Sequence, residues 1–289
     1  MVEQLRVEYP QSVSKACRIL KMSRSVLHYK SIKDDNFFIT ALGSLAEKHP
    51  REGFWKSYGR LRNKGVVVNH KKLYRIYKSI GLAMRRKYKK RLPKREKMPL
   101  VIPSKFTQSW SIDFTSDVLE NGRKFRSFNV IDDYNREVLF IEVDYSLKSS
   151  RVVWVLNHLI GRYGKPQSIR MDNGPELIAG LMTHWSKANN ITFQYIEPGK
   201  PMQNGYIERF NRTYRENVLD SYIFESLEDV REITDEFVKD YNEERPHESL
   251  AGLSPVKYRE MEKQKLAVLK LTENKILVQY EKLSNFKAY

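Results

Sequence analysis

Cysteine is almost absent from this chain of 289 residues, because Cys17 is the single example. One thiol excludes an internal disulfide and any zinc site built on several cysteines, and the six histidines show no paired spacing typical of a metal site. Long apolar runs are missing too: none approaches the roughly 20 residues of a membrane-spanning helix, and the N-terminus lacks the apolar segment of a signal peptide. We therefore expect a soluble, cytoplasmic protein with no membrane partner.

Acidic residues are scarce in the first third of the chain. Residues 1–100 contain 26 Lys and Arg but only 7 Asp and Glu, a net charge of +19, whereas the remaining residues have a net charge of −2. The densest stretch runs from Arg85 to Lys97, where nine of 13 residues are basic. This asymmetry predicts an N-terminal part that binds a polyanion and a nearly neutral body. A basic run is also typical of a solvated linker, and residues 85–103 fit both interpretations.

Two small helical units are predicted before this linker. Residues 1–35 contain two short helices that meet at Lys21-Met22-Ser23, so they form either a helix-turn-helix-like unit or a plain helical hairpin. Residues 36–84 contain three more helices, the last of which begins after the capping residue Asn69. Its exposed face is basic, which favours DNA binding over an ordinary solvated helix. The DNA-binding candidates in these units and in the linker are Lys71, Lys72, Arg75, Arg85, Arg86 and Lys87.

The pattern changes to strands after Phe106. Strands are predicted at residues 108–115, 124–132 and 137–144, with hairpin turns at Asn121-Gly122 and Asn135-Arg136. Helices and strands then alternate, and the later helices are predicted at 176–189, 203–220 and 227–242. For residues 104–260 this order predicts an α/β domain with a mixed five-stranded sheet flanked by helices. Residues 261–289 form a C-terminal tail, in which residues 265–280 suit a short hairpin.

Three acidic residues have positions suited to metal-dependent chemistry. Asp113 lies in an apolar strand, Asp172 ends another strand just before a turn, and Glu208 lies near the start of a helix. Two strand carboxylates and one helical carboxylate can converge on a hard cation such as Mg²⁺. Three of them suit a pair of metal ions ~3.5–4 Å apart, the arrangement that supports phosphoryl transfer. The alternative is chance spacing, because the chain has 35 acidic residues and most acids are solvated.

Other conspicuous side chains are expected to have structural roles. Asp132 and Asp133 are interpreted as a turn cap and a surface acid. Three tryptophans are expected in the core: Trp110, Trp154 and Trp185. Three residues are expected to pack against the last helix and cap it, rather than to take part in chemistry: Tyr241, Arg245 and His247.

Several stretches of the chain resemble one family. The matching stretches are Trp110-Ser111-Ile112-Asp113-Phe114, Asn129-Val130-Ile131-Asp132-Asp133-Tyr134-Asn135-Arg136, Met171-Asp172-Asn173-Gly174-Pro175-Glu176, Pro198-Gly199-Lys200-Pro201-Met202-Gln203-Asn204-Gly205-Tyr206-Ile207-Glu208-Arg209, Phe210-Asn211-Arg212-Thr213-Tyr214-Arg215-Glu216 and Tyr241-Asn242-Glu243-Glu244-Arg245-Pro246-His247-Glu248-Ser249-Leu250. Thirty-five residues separate Asp172 from Glu208, the spacing of the DD(35)E integrases and transposases. The chain most closely resembles the B-frame transposases of the insertion sequence three family, over roughly residues 1–260.

The resemblance implies a ribonuclease-H-like core of the retroviral-integrase type. It also implies a DNA transposase that cleaves and joins insertion-sequence ends by Mg²⁺-dependent phosphoryl transfer. Asp113, Asp172 and Glu208 would then be the catalytic and metal-binding triad, which holds two Mg²⁺ ions with Mn²⁺ as a substitute. Two alternatives remain: a metal-dependent ribonuclease-H-like nuclease or resolvase, and a repressor that binds DNA through residues 1–97 alone.

The resemblance further implies partners and DNA contacts. The expected partners are the terminal inverted repeats and target DNA, further copies of the chain in a paired-end complex, and an A-frame protein or frameshift fusion, all at the nucleoid of a bacterium. The family carries a basic residue seven positions after the glutamate, which is Arg215 here. For Arg209 and Arg212, pairing with a glutamate on the same helix is the alternative. The DNA-binding candidates near the triad are Asn173, Lys200, Gln203, Asn204, Arg212 and Arg215.

Overall fold

The fold was obtained as a computed structural model, which describes residues 13–28, 34–83, 103–178, 180–196 and 204–269. Five of the DNA-binding candidates lie outside these ranges: Arg85, Arg86, Lys87, Lys200 and Gln203. In the part of the chain that is described, no helix is both long and apolar enough to cross a membrane.

The two short N-terminal helices form as predicted. Helix α1 (Val13–Ile19) and helix α2 (Arg24–His28) are joined by a tight turn. Lys21 has a φ of +50° there, in the left-handed region, so a lysine takes the conformation that glycine often supplies in such turns. The backbone N–H of Met22 donates to the carbonyl of Cys17 at 2.9 Å, which closes the end of α1.

Three further helices form a second N-terminal unit. They are α3 (Asn36–Lys48), α4 (Phe54–Asn63) and α5 (His70–Ser79), and they pack around the buried side chains of Leu42, Leu61 and Leu73. Asn69 caps α5, because its side chain accepts a hydrogen bond from the backbone N–H of Lys71. The predicted helices of this unit are confirmed to within a few residues.

Five strands form one mixed sheet. They are β1 (Ser109–Val118), β2 (Lys124–Asp132), β3 (Val138–Asp144), β4 (Ser168–Met171) and β5 (Thr192–Tyr195), in the spatial order β3-β2-β1-β4-β5. The first three pair antiparallel, while β4 pairs parallel with both β1 and β5. This arrangement, with β1 at the centre, confirms the expected α/β fold of the ribonuclease-H-like type.

Helices cover both faces of this sheet. On one face lie α6 (Ser149–Tyr163), α7 (Pro175–Ile178) and α8 (Gly180–Ala188), and α6 and α8 pack against Trp110 and Ile112 of β1. On the other lie α9 (Gly205–Tyr214) and α10 (Leu227–Glu243). Successive residues of a strand point to opposite faces, so Asp113 is on the face of α9 while Ile112 is in the core beneath α6.

Three sequence expectations are corrected here. The helix predicted at 203–220 gives way at Arg215 to a π-helical segment, Arg215–Leu219. Residues 255–269 form a helix, α11, so the hairpin is wrong for residues 265–269. Lys265 and Glu262 form an ion pair, and their spacing of three residues is that of neighbours on one side of a helix. Trp154 is 50% exposed on α6, unlike the buried Trp110 and Trp185, because its ring stacks on His158 outside the core.

A buried cluster of charged side chains joins the α3–α5 unit to the α/β core. The Arg60 guanidinium donates to Glu52 at 2.7 and 2.9 Å, and to Asp240 of α10 at 2.9 and 2.6 Å. Arg245 donates to the same Glu52 at 2.6 Å. Burial alone would raise the pKa of Glu52, but the hydrogen bond from Arg60 and the charges of Arg245 and Arg60 hold it below the ordinary value. The unit is therefore fixed against the core.

Candidate active site

Strand register brings two of the three predicted carboxylates together. In the parallel pairing of β1 with β4, Ser109 is opposite Ser168 and Ser111 is opposite Arg170. The same register, continued for two residues beyond the Ser111–Arg170 pair, aligns Asp113 with Asp172, which lies one residue past the end of β4. Neighbouring strands lie about 4.8 Å apart, so the two carboxylates occupy adjacent positions on one face of the sheet.

An asparagine connects the third carboxylate's helix to this position. The Asn211 side chain on α9 donates to Asp113 Oδ2 at 2.8 Å, and Asn129 of β2 donates to Asn211 Oδ1 at 2.8 Å. Glu208 lies three residues before Asn211, which is one helical turn and therefore the same side of α9. Glu208 is thus brought to the face of the sheet on which Asp113 and Asp172 lie.

The electrostatics of Asp113 also reflect this convergence. Burial is the main cause that raises its pKa to about 6, and the negative charges of Asp172 and Glu208 raise it further. Hydrogen bonds from the Phe114 backbone N–H, at 2.8 Å, and from Asn211 act in the opposite direction. Asp172 and Glu208 are therefore both near enough to Asp113 for their charges to act on it.

The donor set suits a hard cation, although the carboxylates are not closed around one. Within the described ranges, no group of three acidic, histidine or cysteine side chains has metal-binding geometry. Asp172 accepts one hydrogen bond, from the Gly174 N–H at 3.1 Å. None of the three carboxylates forms an ion pair with a described residue. Three oxygen donors with uncompensated negative charge are the ligands that Mg²⁺ prefers. The Glu208 side chain is exposed.

Asp133 is buried rather than exposed, so its assignment as a surface acid is wrong. Its carboxylate accepts hydrogen bonds from Ser109 and Ser111 of β1, at 2.9 and 2.5 Å, and lies 3.3 Å from the Arg170 guanidinium of β4. Asp133 therefore links β1 to β4 two residues before the aligned acids. Hydrogen bonding to hydroxyls across neighbouring strands explains why an acid is tolerated at this fully buried position.

Asp132 caps the β2–β3 turn as expected. It accepts from the backbone N–H of Tyr134 at 2.8 Å and from that of Thr107 at 2.7 Å. It is also fully buried, and that burial raises its pKa to about 7. Both acids of this pair thus have structural partners away from the triad.

The DNA-binding candidates near the triad have different environments. Asn204 is only 2% exposed at the start of α9, which gives its side chain no surface for DNA. Asn173 is exposed, and its amide donates to the carbonyl of Ile196 at 3.1 Å. Arg212 is exposed and forms no ion pair with a described residue, so the alternative of pairing on its own helix does not apply to it. Arg209 is likewise exposed and unpaired in the described ranges.

Arg215 is engaged with the end of β1. Its guanidinium donates to the carbonyl of Ser116 at 2.8 Å and lies 3.3 Å from Asp117 and 3.7 Å from Asp220. It keeps to the sheet side of its helix even though the π-helical segment begins at this residue. Two carboxylates already offset its charge, so a DNA phosphate has to compete with them.

The basic face of α5 is partly neutralised. Lys72 and Arg75 both pair with Asp35, at 3.1 and 2.5 Å, and the Lys72 ammonium also lies over the Phe38 ring. Lys71 is exposed and keeps its side chain free of such pairs. Of the three candidates on this helix, Lys71 is the one most open to a phosphate.

Asn211 and Asn129 are site residues that the sequence did not single out. Both stretches that contain them belong to the family resemblance, but an asparagine carries no charge and is common on surfaces. The signal was positional: Asn211 lies one turn after Glu208, and Asn129 pairs directly across from Asp113 in the antiparallel ladder. Polar residues beside a candidate catalytic acid are the ones to examine for such a role.

Comparison with known proteins places this geometry in context. Two models described as integrase core domain match the chain, at residues 103–201 and 189–255. An insertion element IS407 protein of 31.7 kDa from Burkholderia multivorans is 36% identical over 249 residues, 86% of this chain and 90% of the relative. The putative transposase InsK for insertion sequence element IS150, from Escherichia coli, is 22% identical over 90% of this chain and 96% of its own length.

A solved structure is also similar to this chain. The HTLV-2 integrase catalytic core domain in complex with magnesium, in its trimeric form, is 17% identical with a TM-score of 0.44. The match covers 56% of this chain and 99% of that one.

Proposed function

The chain belongs to the family of insertion-sequence transposases with an integrase core domain, and on that premise we propose that Asp113, Asp172 and Glu208 are its catalytic carboxylates. The reaction is the cleavage and joining of insertion-sequence ends to target DNA. One observation carries the assignment: the β1–β4 register aligns Asp113 with Asp172, while Asn211 ties the helix of Glu208 to Asp113. Two Mg²⁺ ions, or Mn²⁺ in their place, are the cofactors that the three carboxylates suit.

The residues of the chain have separate tasks in this reaction. When bound, Mg²⁺ supplies an activated attacking oxygen and charge stabilisation for the leaving oxygen. Asp113 presents its carboxylate from β1 and Asp172 from the residue just after β4, and Asn211 fixes the orientation of the Asp113 carboxylate. Glu208, on the helix, completes the set. No protein nucleophile is required, so the chain needs no activated serine or cysteine.

The partners follow from charge and family. The net charge of +19 in residues 1–100 supports binding of terminal inverted repeats and target DNA. Arg212 and Lys71 are the exposed candidates for phosphate contacts near the triad and on α5. A homo-oligomer that pairs two element ends, an A-frame protein or frameshift fusion, and a place at the bacterial nucleoid complete the proposal.

A strand-transfer assay distinguishes this function from a nuclease of the same fold. The substrate is a labelled duplex of the element end with a free 3′-OH, incubated with a plasmid target and Mg²⁺. We expect joined products with Mg²⁺ or Mn²⁺, DNA binding without chemistry in Ca²⁺, and no product with a chelator. Cutting without any joining would favour the nuclease or resolvase, and DNA binding without either would favour the repressor.

Removal of the Asn211 amide is expected to lower activity without unfolding the core. Asn211→Ala frees the Asp113 carboxylate to rotate, and a misplacement of about 1 Å in a catalytic group reduces rates by up to ~100-fold. We expect strand transfer to fall by about 10- to 100-fold. The matched control is Asn217→Ala, which removes an asparagine whose amide bonds only to the carbonyl of Thr213, one turn earlier. Equal activity of the two variants would contradict the positioning role of Asn211.

The stability of the metal-free protein should depend on pH through Asp113. Because its folded pKa, about 6, lies above its unfolded value of 3.8, the folded state binds this proton more tightly. Its ionisation therefore destabilises the fold above pH 6, and the penalty disappears as the pH falls toward 4. Asp113→Asn should therefore be more stable than wild type at pH 7.5. We expect this advantage in the free energy of unfolding to shrink by about 2 kcal/mol when the pH is lowered to 4.5, as measured by urea unfolding. Asp235→Asn, which removes an exposed acid from α10, is the matched control.

A further inference from the structure

A groove lies between helix α4 and the loop at residues 246–253. Its volume is about 740 Å³, within the range of roughly 300–1,000 Å³ typical of sites for small ligands. From α4 it is lined by Trp55, Tyr58 and Arg62, which are spaced as i, i+3 and i+7 and therefore form one stripe along the helix. It is separate from the triad and involves none of the predicted DNA-binding residues.

The walls of this groove are held together by direct contacts. The Lys56 ammonium donates to the carbonyl of Pro246, and the Asn63 amide donates to the carbonyl of Gly252 at 3.1 Å. Between them, Gly59 lets the two walls approach, because a Cβ there would lie only 2.8 Å from the Pro246 ring. With the buried Arg60 cluster beside them, these contacts make the groove a preformed site.

The groove offers an aromatic surface to solvent. Trp55 is 65% exposed, and its ring packs at 5.8 Å against His70 with an interplanar angle of 34°. The Tyr58 ring stands nearly perpendicular to it, at 6.0 Å. Most of the indole surface is therefore open. Exposed aromatic rings beside cations are the usual platforms on which unpaired bases stack.

The described residues that line the groove include two basic residues, Lys56 and Arg62, and one acidic residue, Glu248. The Arg62 guanidinium lies 5.8 Å from the centre of the Tyr58 ring, and Arg62 forms no ion pair with a described residue. Burial, together with the charges of Lys56 and Arg245, lowers the pKa of His247 well below its ordinary value, so this ring is neutral. Its Nε2 is buried and has no hydrogen-bond partner in the described part of the chain. The site thus combines a stacking surface with a free cation.

We propose that this groove binds an unpaired nucleotide of the DNA substrate, with its base stacked on Trp55 and its phosphate near Arg62. The proposal rests on the proposed function only in taking DNA as the substrate. A duplex hides the faces of its bases, so the occupant is a strand that is frayed or single-stranded. The free Arg62, with Lys56 also lining the groove, favours a nucleotide over an apolar peptide.

The test compares single-stranded and duplex DNA on the full-length protein. Fluorescence anisotropy measures the affinity for labelled oligothymidylate and for a hairpin duplex of equal length, at one fixed salt concentration. Because stacking on an aromatic ring contributes about 1–3 kcal/mol per base, Trp55→Ala should weaken single-strand binding about 5- to 100-fold. Duplex binding should change less than about twofold. The matched control is Trp154→Ala, at the other exposed tryptophan, which should leave both affinities unchanged.

Three results would overturn the proposal: unchanged single-strand affinity of Trp55→Ala, an equal loss for duplex, or the same loss in Trp154→Ala. Trp55→Phe keeps a smaller ring at the same place, so partial retention of single-strand binding supports stacking even if Trp55→Ala folds poorly. Strand transfer by the wild-type protein separates the two proposals. If the wild-type protein joins DNA ends but Trp55→Ala binds single strands normally, only the groove proposal is wrong. If Trp55→Ala loses single-strand binding but the wild-type protein joins no ends, only the transposase proposal is wrong.

Discussion

Glu208→Gln, Asp113→Asn and Asp172→Asn are each expected to reduce strand transfer by at least about 1,000-fold. Each substitution keeps the size of the side chain but removes one negative charge from the set that binds Mg²⁺. Metal ions contribute several kcal/mol of charge stabilisation in phosphoryl transfer, and about 4 kcal/mol corresponds to a factor of 1,000 in rate. The measurement is the single-turnover rate of joining a labelled element end to a plasmid target.

Glu216→Gln is the matched control for the helical member of the triad. Glu216 is an exposed glutamate eight residues further along, beyond the point where α9 becomes π-helical. This variant should keep wild-type joining, and DNA affinity should be retained in all three triad variants because none removes a cation. Near-normal joining by any one triad variant would show that the assignment is wrong at that position. Loss of DNA affinity in parallel with activity would point to misfolding instead.

The sheet and the two strand acids could be predicted because their signals are local. The apolar residues around Asp113 alternate over a strand length, and the turn after Asp172 marks where its strand ends. These local signals placed Asp113 on a strand and Asp172 at the end of one. Their alignment required the register between β1 and β4, which is set partly by the buried Asp133 linking the two strands. A charged residue looks like surface in a sequence, so that link could not be foreseen.

The same limitation applies to contacts between distant segments. Arg60 and Asp240 are 180 residues apart in the chain, and no periodic pattern connects them. The α3–α5 unit was consequently predicted as a separate body preceding a linker, whereas its helix α4 is held by α10 through buried charges. Trp154 shows the converse: a large apolar residue on an amphipathic helix was predicted to be buried, and its ring instead stacks on His158 at the surface.

Arg60→Ala is expected to destabilise the protein by about 3–5 kcal/mol, the usual effect of removing one partner from a buried ion pair. The reason is the pair of acids that remain, since Glu52 and Asp240 would keep their negative charges in a site that excludes water. Arg245 still contacts Glu52 but does not bond to Asp240, so it compensates only one of them. Urea unfolding of the full chain measures the loss.

Two further variants separate this charge effect from a loss of packing. Arg62→Ala removes an exposed arginine two positions along the same helix, and it should change stability by less than about 0.5 kcal/mol. Adding Asp240→Asn to Arg60→Ala removes the acid that Arg245 does not reach and should restore part of the stability. If the double variant were less stable than Arg60→Ala by the full effect of Asp240→Asn alone, the two residues would act independently. In that case packing of the Arg60 side chain, rather than its charge, would hold the N-terminal unit against the core.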